Sequence, residues 1–560
     1  MRIFFNCIII TITSFFVIYP QHPEPVRAKN GMIVSASKIA SEVGIEILKK
    51  GGNAIDAAVA VGFALAVTYP SAGNLGGGGF MVIHFSNGSN TSIDFREKAP
   101  MNANEKMFLD ENDNFLPNLS QEGVTSAGVP GSVAGLLYAL KKYGTMSIKE
   151  IINPAIKLAK DGFVLDYRLV ESINYHFEDF NKYPSSRKIF TKNGKPFQEG
   201  DKFIQKDLAK TLKLISKYGR DGFYKGYVAD KIVKQMRQMG GYITYEDLEN
   251  YQPVERKPII STFKGYKVIS MGPPSGGGVI LLQSLNVLEN FEFNIDDWNS
   301  SNYIHKVVET LKYAYADRSK HLGDPDFYPV PLVELLNKDY SQRIFAQIGE
   351  KAIPSNQIFP ANFPYYDKSD ETTHYSVIDK YGNAVSVTTT LNSSYGSKIV
   401  VEGAGFLLNN EMDDFSAKPG VANQFGLTGS EANKIEPNKR MLSSMTPTIV
   451  LKNDKPVLIL GSPGGSTIPT SVLQVILNYI VFGMNIQAAV NSPRIHHQWL
   501  PDKIDYENQA LSMDVKENLQ KRGHTIGDKR ILGRVEAIAI EGDFIFGATD
   551  PRGFGAAIGY

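Results

Sequence analysis

The stretch Glu371-Thr372-Thr373-His374-Tyr375-Ser376 decides how this chain is read. A threonine hydroxyl is a weak nucleophile unless a base lies within hydrogen-bond reach. Cutting the chain immediately before Thr372 would supply that base on the same residue, as a freed α-amine with a reference pKa of about 7.7–8.0. A Thr–Thr pair alone is ordinary strand sequence, so its surroundings carry the reading. Residues 372–379 are rich in β-formers, Lys380-Tyr381-Gly382-Asn383 supplies turn residues, and residues 384–391 form a second β-prone run. The expected hairpin pairs Asp379 with Ala384, which sets Thr372 opposite Leu391 and brings Thr390 and Asn392 to its flanks. A slip of one residue would change which side chain faces the threonine.

A second informative stretch is Gly461-Ser462-Pro463-Gly464-Gly465-Ser466, which follows an apolar strand at 457–460 and precedes a helix expected over about 469–482. A strand–glycine loop–helix unit aims backbone N–H groups and the positive helix end at one spot. The loop lacks the Lys-Ser/Thr ending of a phosphate-binding P-loop. It suits the oxyanion formed when a threonine attacks an amide carbonyl, and it suits a tight turn equally well.

Further motifs occur along the chain. Gly51-Gly52-Asn53-Ala54-Ile55-Asp56-Ala57-Ala58, Gly76-Gly77-Gly78-Gly79-Phe80 and Asp94-Phe95-Arg96-Glu97-Lys98-Ala99-Pro100 mark the first half. Thr390-Leu391-Asn392, Asn409-Asn410-Glu411-Met412-Asp413-Asp414, Pro437-Asn438-Lys439-Arg440 and Leu442-Ser443-Ser444-Met445 mark the second. Together with the two stretches above, in this order, they resemble the γ-glutamyltransferase family over nearly everything after the leader. The resemblance implies an α+β fold, the four-layer αββα sandwich of N-terminal nucleophile hydrolases. It implies self-cleavage between Glu371 and Thr372, giving a large subunit at 25–371 and a small catalytic subunit at 372–560 that stay together as a heterodimer. Thr372 would attack the γ-carbonyl of a glutamyl amide. Gly464 and Gly465 match the oxyanion positions, and Thr390 matches the residue that supports the nucleophile. Arg96, Ser443 and Ser444 match residues that hold the substrate α-carboxylate, and Asn392, Glu411 and Asp414 match those around its α-amino group. The implied donors are glutathione and other γ-glutamyl compounds, with water, amino acids or short peptides as acceptors, and no cofactor or metal.

Elementary chemistry agrees with that division. A γ-glutamyl group has a zwitterionic head, which needs opposite charges in two places. Arginine grips a carboxylate through two parallel hydrogen bonds that lysine cannot copy. Without the resemblance, Arg96 reads as a surface ion pair with Asp94 or Glu97, and Asp413-Asp414 as a turn or helix cap. Two departures stand out. Glu411 occupies a position where many bacterial members carry glutamine. Phe425 lies in the stretch 420–438, which is long enough to match the lid loop of some members, and stands where many lidded members have tyrosine. Losing that hydroxyl predicts a looser cover and more exposure of the ester to water.

The chain has 560 residues and a net charge of +1, which gives no reason to expect nucleic acid as a partner. Residues 1–24 read as a signal peptide or N-terminal anchor, predicting a periplasmic or secreted protein, membrane-anchored if the leader stays. Cys7, the single cysteine, lies within it, so a processed chain has no thiol for disulfides or catalysis. Residues 57–69 are too few to span a bilayer and predict a buried helix. His496 and His497 are adjacent and would face opposite ways on a strand, which argues for structural roles rather than a metal site. His374 reads as packing or a supporting hydrogen bond. The rivals are an amidase of the same architecture, such as a cephalosporin or glutaryl acylase, and a binding protein with a dead site.

Overall fold

The strand Thr373–Ile378 lies inside a seven-stranded sheet with the order Ala556–Gly559, Met32–Ser35, Thr373–Ile378, Ala384–Thr390, Gly78–His84, Asn90–Asp94, Val254–Arg256. This is a computed structural model, and it describes residues 23–361, 373–418, 421, 423–427 and 431–560. Glu371, Thr372 and nearly all of the leader therefore lie outside the described residues. A second seven-stranded sheet has the order Val26–Ala28, Phe544–Ala548, Glu536–Glu541, Lys455–Gly461, Thr448–Lys452, Tyr266–Ser270, Ile259–Phe263. The architecture is mixed α and β. One apolar cluster, including Met32, Val34, Phe80, Val82, Ile449, Ile459 and Ile538, joins residues of both sheets. Each sheet also shares a separate cluster with helices.

Strand alternation explains how the hairpin serves both faces. Tyr375, Val377, Val385 and Val387 join the helix-side cluster, where the helix Ala54–Thr68 is buried along its whole length. His374, Ser376, Ser386 and Thr388 occupy the alternate positions. There His374 bonds Thr388 within the sheet, and the two serines find partners in the second sheet. Ser376 donates to the Ile459 and Glu536 carbonyls, and Ser386 donates to Leu460 O at 3.1 Å while accepting from Thr448 N at 2.9 Å. Buried hydroxyls unpaired at these positions would each cost about 1–3 kcal/mol.

The hairpin register differs by one residue from the sequence expectation. Ile378, not Asp379, pairs with Ala384, and Thr373 pairs with Thr389. Asp379 is withdrawn into the turn because its carboxylate accepts from the backbone N–H groups of Tyr381 and Asn383 at 2.9 and 3.0 Å. It also accepts from Ala54 N at 2.9 Å, which docks the turn on a helix N-terminus. The expected pairing of Thr372 with Leu391 falls on a residue outside the described part. The helix expected over 57–69 is present as Ala54–Thr68, started by an Asn53–Asp56 capping box. Among the described residues no helix is long and apolar enough to cross a membrane.

Candidate active site

The glycine loop leaves the strand Lys455–Gly461, makes a short 3-10 turn at Gly465–Thr467 and enters the helix Ile468–Ile480 with Pro469 in its first turn. Gly464 has φ +132° and Gly465 φ +59°, backbone that residues with a Cβ rarely adopt. Space forbids a side chain as well: a Cβ on Gly464 would lie 2.5 Å from Thr467 Oγ1 and 2.9 Å from Gly533 Cα. At the other end of the loop, a Cβ on Gly461 would meet the His374 ring at 2.4 Å. His374 is fully buried and bonds Thr388 Oγ1 and Ser376 Oγ, each at 3.0 Å. Burial lowers its pKa to about 3, so the ring stays neutral and acts as a strut under the loop.

Thr373, Asn392 and Gly464 line one cleft of about 880 Å³. Thr373 opens its strand, is 1% exposed, and has a hydroxyl with no hydrogen-bond partner among the described residues. Asn392 takes φ +71°, a left-handed conformation that asparagine tolerates. Its N–H donates to Thr390 Oγ1 at 2.7 Å and its Nδ2 to Asn410 O at 2.9 Å. Asn392 thus links the cleft to the segment that carries Glu411.

Behind the cleft lies a buried charge cluster. Arg96 is fully buried, with its guanidinium donating to Glu411 Oε2 and Asp414 Oδ2, both at 2.5 Å, and to Glu97 Oε2 at 3.3 Å. The Met441 and Leu442 carbonyls accept its remaining N–H groups at 3.1 and 3.3 Å. The surface ion pair entertained from sequence is therefore replaced by a buried one. Glu97 is a partner, while Asp94 takes the Arg96 backbone N–H and pairs through its carboxylate with Arg256 and Arg440. Burial, then Glu411, push the Glu97 carboxyl well above its ordinary value, which favours its protonated form. Burial also raises Glu411, with Arg96 pulling against it.

The structure brings Ser443 and Ser444 to this cluster by way of Met441 and Leu442. The Ser443 hydroxyl accepts from Met445 N at 3.1 Å, and the buried Ser444 hydroxyl has no partner among the described residues. Asp413 and Asp414 sit on a 3-10 turn, Glu411–Asp414, yet differ in role. Asp413 accepts from Ser120 Oγ at 2.6 Å and Gln424 N at 3.2 Å, away from Arg96. Phe425 is half-buried; with Gly464, His496 and Gln498 it lines a second cavity of about 380 Å³. Its carbonyl accepts from Gln498 Nε2 at 3.3 Å, and its neighbour Gln424 accepts from Ser393 Oγ at 2.8 Å.

His496 bonds Thr470 and Gln498, and His497 bonds Asp502, as structural histidines do. Sequence reading missed Glu97 as a member of the cluster. It also missed a buried group elsewhere, where His305 Nδ1 and His524 Nε2 lie 2.7 Å apart near Glu309. Only the His305–Glu309 helical spacing hinted at that group, and Lys312 already occupies the Glu309 carboxylate at 2.8 Å.

Comparison with known proteins places these residues in context. A family model described as Gamma-glutamyltranspeptidase matches residues 40–560. The chain is 50% identical to the glutathione hydrolase proenzyme of Escherichia coli strain K12, over 94% of this chain and 91% of that one. It is 42% identical to the glutathione hydrolase proenzyme of Bacillus subtilis strain 168, over 97% and 93%. Among solved structures, cephalosporin acylase from Bacillus halodurans superposes with a TM-score of 0.86 at 28% identity, covering 98% of this chain and 99% of that one. Helicobacter pylori gamma-glutamyltranspeptidase superposes with a TM-score of 0.58 at 49% identity, covering 61% and 96%.

Proposed function

The chain belongs to the gamma-glutamyltranspeptidase family, and from that premise we infer how its residues divide the work. It is an enzyme of γ-glutamyl cleavage and transfer, a γ-glutamyltransferase and glutathione hydrolase. The observation that carries the residue assignment is the meeting of Thr373, Asn392 and the Gly464 turn on one cleft, backed by the Arg96–Glu411–Asp414 cluster.

We propose that the chain is cut between Glu371 and Thr372, leaving 25–371 and 372–560 as paired subunits of a four-layer αββα sandwich. The freed α-amine of Thr372 takes the proton from its own hydroxyl as the oxygen attacks the γ-carbonyl. Backbone N–H groups of Gly464 and Gly465 receive the oxyanion, and Thr390 supports the nucleophile. The α-amine then gives the proton to the departing nitrogen, and water or an amine releases the ester. Arg96 and the Ser443 and Ser444 hydroxyls hold the substrate α-carboxylate, while Asn392, Glu411 and Asp414 hold its ammonium. Arg96 and its acids are paired with one another in the free site, so binding exchanges ion pairs instead of creating them. That exchange favours a ligand carrying both charges over one carrying a carboxylate alone. The leader would direct the protein to the periplasm or outside the cell, with membrane anchoring if it is retained.

The test is denaturing electrophoresis with amino-terminal sequencing, beside the Thr372→Ala variant. A small chain beginning Thr-Thr-His-Tyr, absent from the variant, is expected; an uncut wild-type chain with full activity would defeat the assignment. The similarity to cephalosporin acylase favours one second reading, an amidase for acyl groups without an ammonium. Equal turnover of γ-glutamyl and glutaryl anilides would select it.

A further inference from the structure

The cleft that holds Thr373 and Gly464 has a wall with a cation of its own. Arg534 lines it, and its guanidinium makes no hydrogen bond or ion pair among the described residues. Glu536, an acid that senses Arg534, is fully buried and pushed well above its ordinary value by that burial, so it neutralises little of the charge. Arg168 lines the same wall, donates to the Gly553 carbonyl and lies over the Phe554 ring at 5.2 Å. The Arg534 side chain also borders Gly553, its Cδ 3.4 Å from where a Cβ would stand there. Two guanidinium-bearing side chains thus meet at one glycine. The acid in the lining, Glu171, is exposed, and burial lowers the pKa of His176, leaving it neutral. The wall carries a net positive charge.

Arg534 is also tied to the reaction centre. Its backbone N–H donates to Ser462 Oγ at 2.9 Å, within the glycine loop, and the preceding Gly533 fills the space a Cβ on Gly464 would need. Resting on the γ-glutamyl reading of the cleft, we propose that Arg534, assisted by Arg168, binds the terminal carboxylate of the peptide that leaves with the cleaved nitrogen, and of the peptide that arrives in transfer. A dipeptide places its carboxylate about 7 Å beyond the scissile nitrogen, a span comparable to an extended arginine side chain rooted beside the loop. An unpaired guanidinium facing a cleft suits that anion, because carboxylate binding costs it no existing partner. The head site reads the γ-glutamyl side of the bond, and Arg534 reads the other side. Donors ending in a free carboxylate gain an advantage over donors whose leaving group is neutral.

The experiment compares kcat/KM for glutathione with that for glutathione carrying a carboxamide in place of the glycine carboxylate. Wild type should prefer the free acid, and in Arg534→Gln that preference should fall about tenfold, mainly through KM. Arg534→Lys keeps the charge without the paired geometry and should fall less; it also serves if Arg534→Gln fails to mature. A preference unchanged in both variants, or none in the wild type, overturns the assignment. Failure of the wild type to cleave either donor or a γ-glutamyl anilide overturns the γ-glutamyl reading itself.

Discussion

Arg96 and Arg534, the two arginines proposed to read the two halves of the substrate, are built in opposite ways. Arg96 is fully buried and already spends its guanidinium on three carboxylates and two carbonyls. Arg534 is partly exposed beside an open cleft and makes no side-chain bond among the described residues. A buried cation must be paired or it destabilises the fold, so the proposed head site is charged before any ligand arrives and can be strict. A cation at the mouth of a cleft keeps its water until an anion displaces it, so that wall can be permissive. Strict recognition of one half of a substrate and tolerance of the other is what transfer among varied acceptors requires.

The strongest way to break the comparison is to loosen the strict side. Arg96→Lys should lower kcat/KM for γ-glutamyl anilide by roughly 30- to 4,000-fold, corresponding to about 2–5 kcal/mol for disturbing a buried charge pair. Turnover of glutaryl anilide, which keeps the carboxylate and lacks only the ammonium, should fall with it; a near-normal kcat/KM for the γ-glutamyl anilide would remove Arg96 from head recognition. Next comes the glycine loop. Gly464→Ala, strained at φ +132° and too close to Thr467 and Gly533, should cost about 100-fold in kcat. Near-normal turnover would show that the oxyanion is received elsewhere.

Proton linkage adds a second contrast, because the loop and the Arg96 cluster respond to pH with opposite sign. His374, under the loop, has its pKa lowered from 6.5 to about 3. Its contribution to stability is complete above 6.5 and fades as pH falls toward about 3, by up to about 1.4 kcal/mol per pH unit. Glu97, under the head site, is raised above 4.5, so its contribution is complete below 4.5 and fades as pH rises above it. Thermal unfolding of the uncut Thr372→Ala chain should therefore lose less on acidification when His374→Gln is added. Adding Glu97→Gln should help most near neutrality. Parallel shifts across the whole pH range would contradict both. The smallest effect concerns the cover. Phe425→Tyr should lower the ratio of hydrolysis to transfer by about twofold, through one added hydrogen bond; an unmoved ratio would show that Phe425 does not govern water access.

Much of this was legible in the chain because it is local. The hairpin, the glycine turn and the helix at 54–68 each follow from periodicity and turn residues that lie side by side. The register was missed by one residue because a side chain settled it: Asp379 prefers the N–H groups of its own turn and of Ala54 to a place in the ladder. The self-pairing of the head site was not legible, since Arg96 meets Glu411 across 315 residues of chain and nothing near Arg96 foretells its burial. Arg534 lay beyond sequence reasoning for a similar reason. It acquires meaning only where Gly533 presses against Gly464.

The strand order has a temporal consequence. Met32–Ser35 lies between Ala556–Gly559 and Thr373–Ile378, and Val26–Ala28 edges the other sheet beside Phe544–Ala548. A chain cut before Thr372 would therefore contribute strands from both pieces to both sheets, with no clean plane along which to separate. The interleaving can be woven only while the two halves are one molecule and their search for each other is intramolecular. After the cut, unfolding would turn that search into a meeting of two independent chains at their bulk concentration. The mature protein would then persist because it unfolds slowly and not because it can refold, keeping in its sheets the memory of a connection it no longer has.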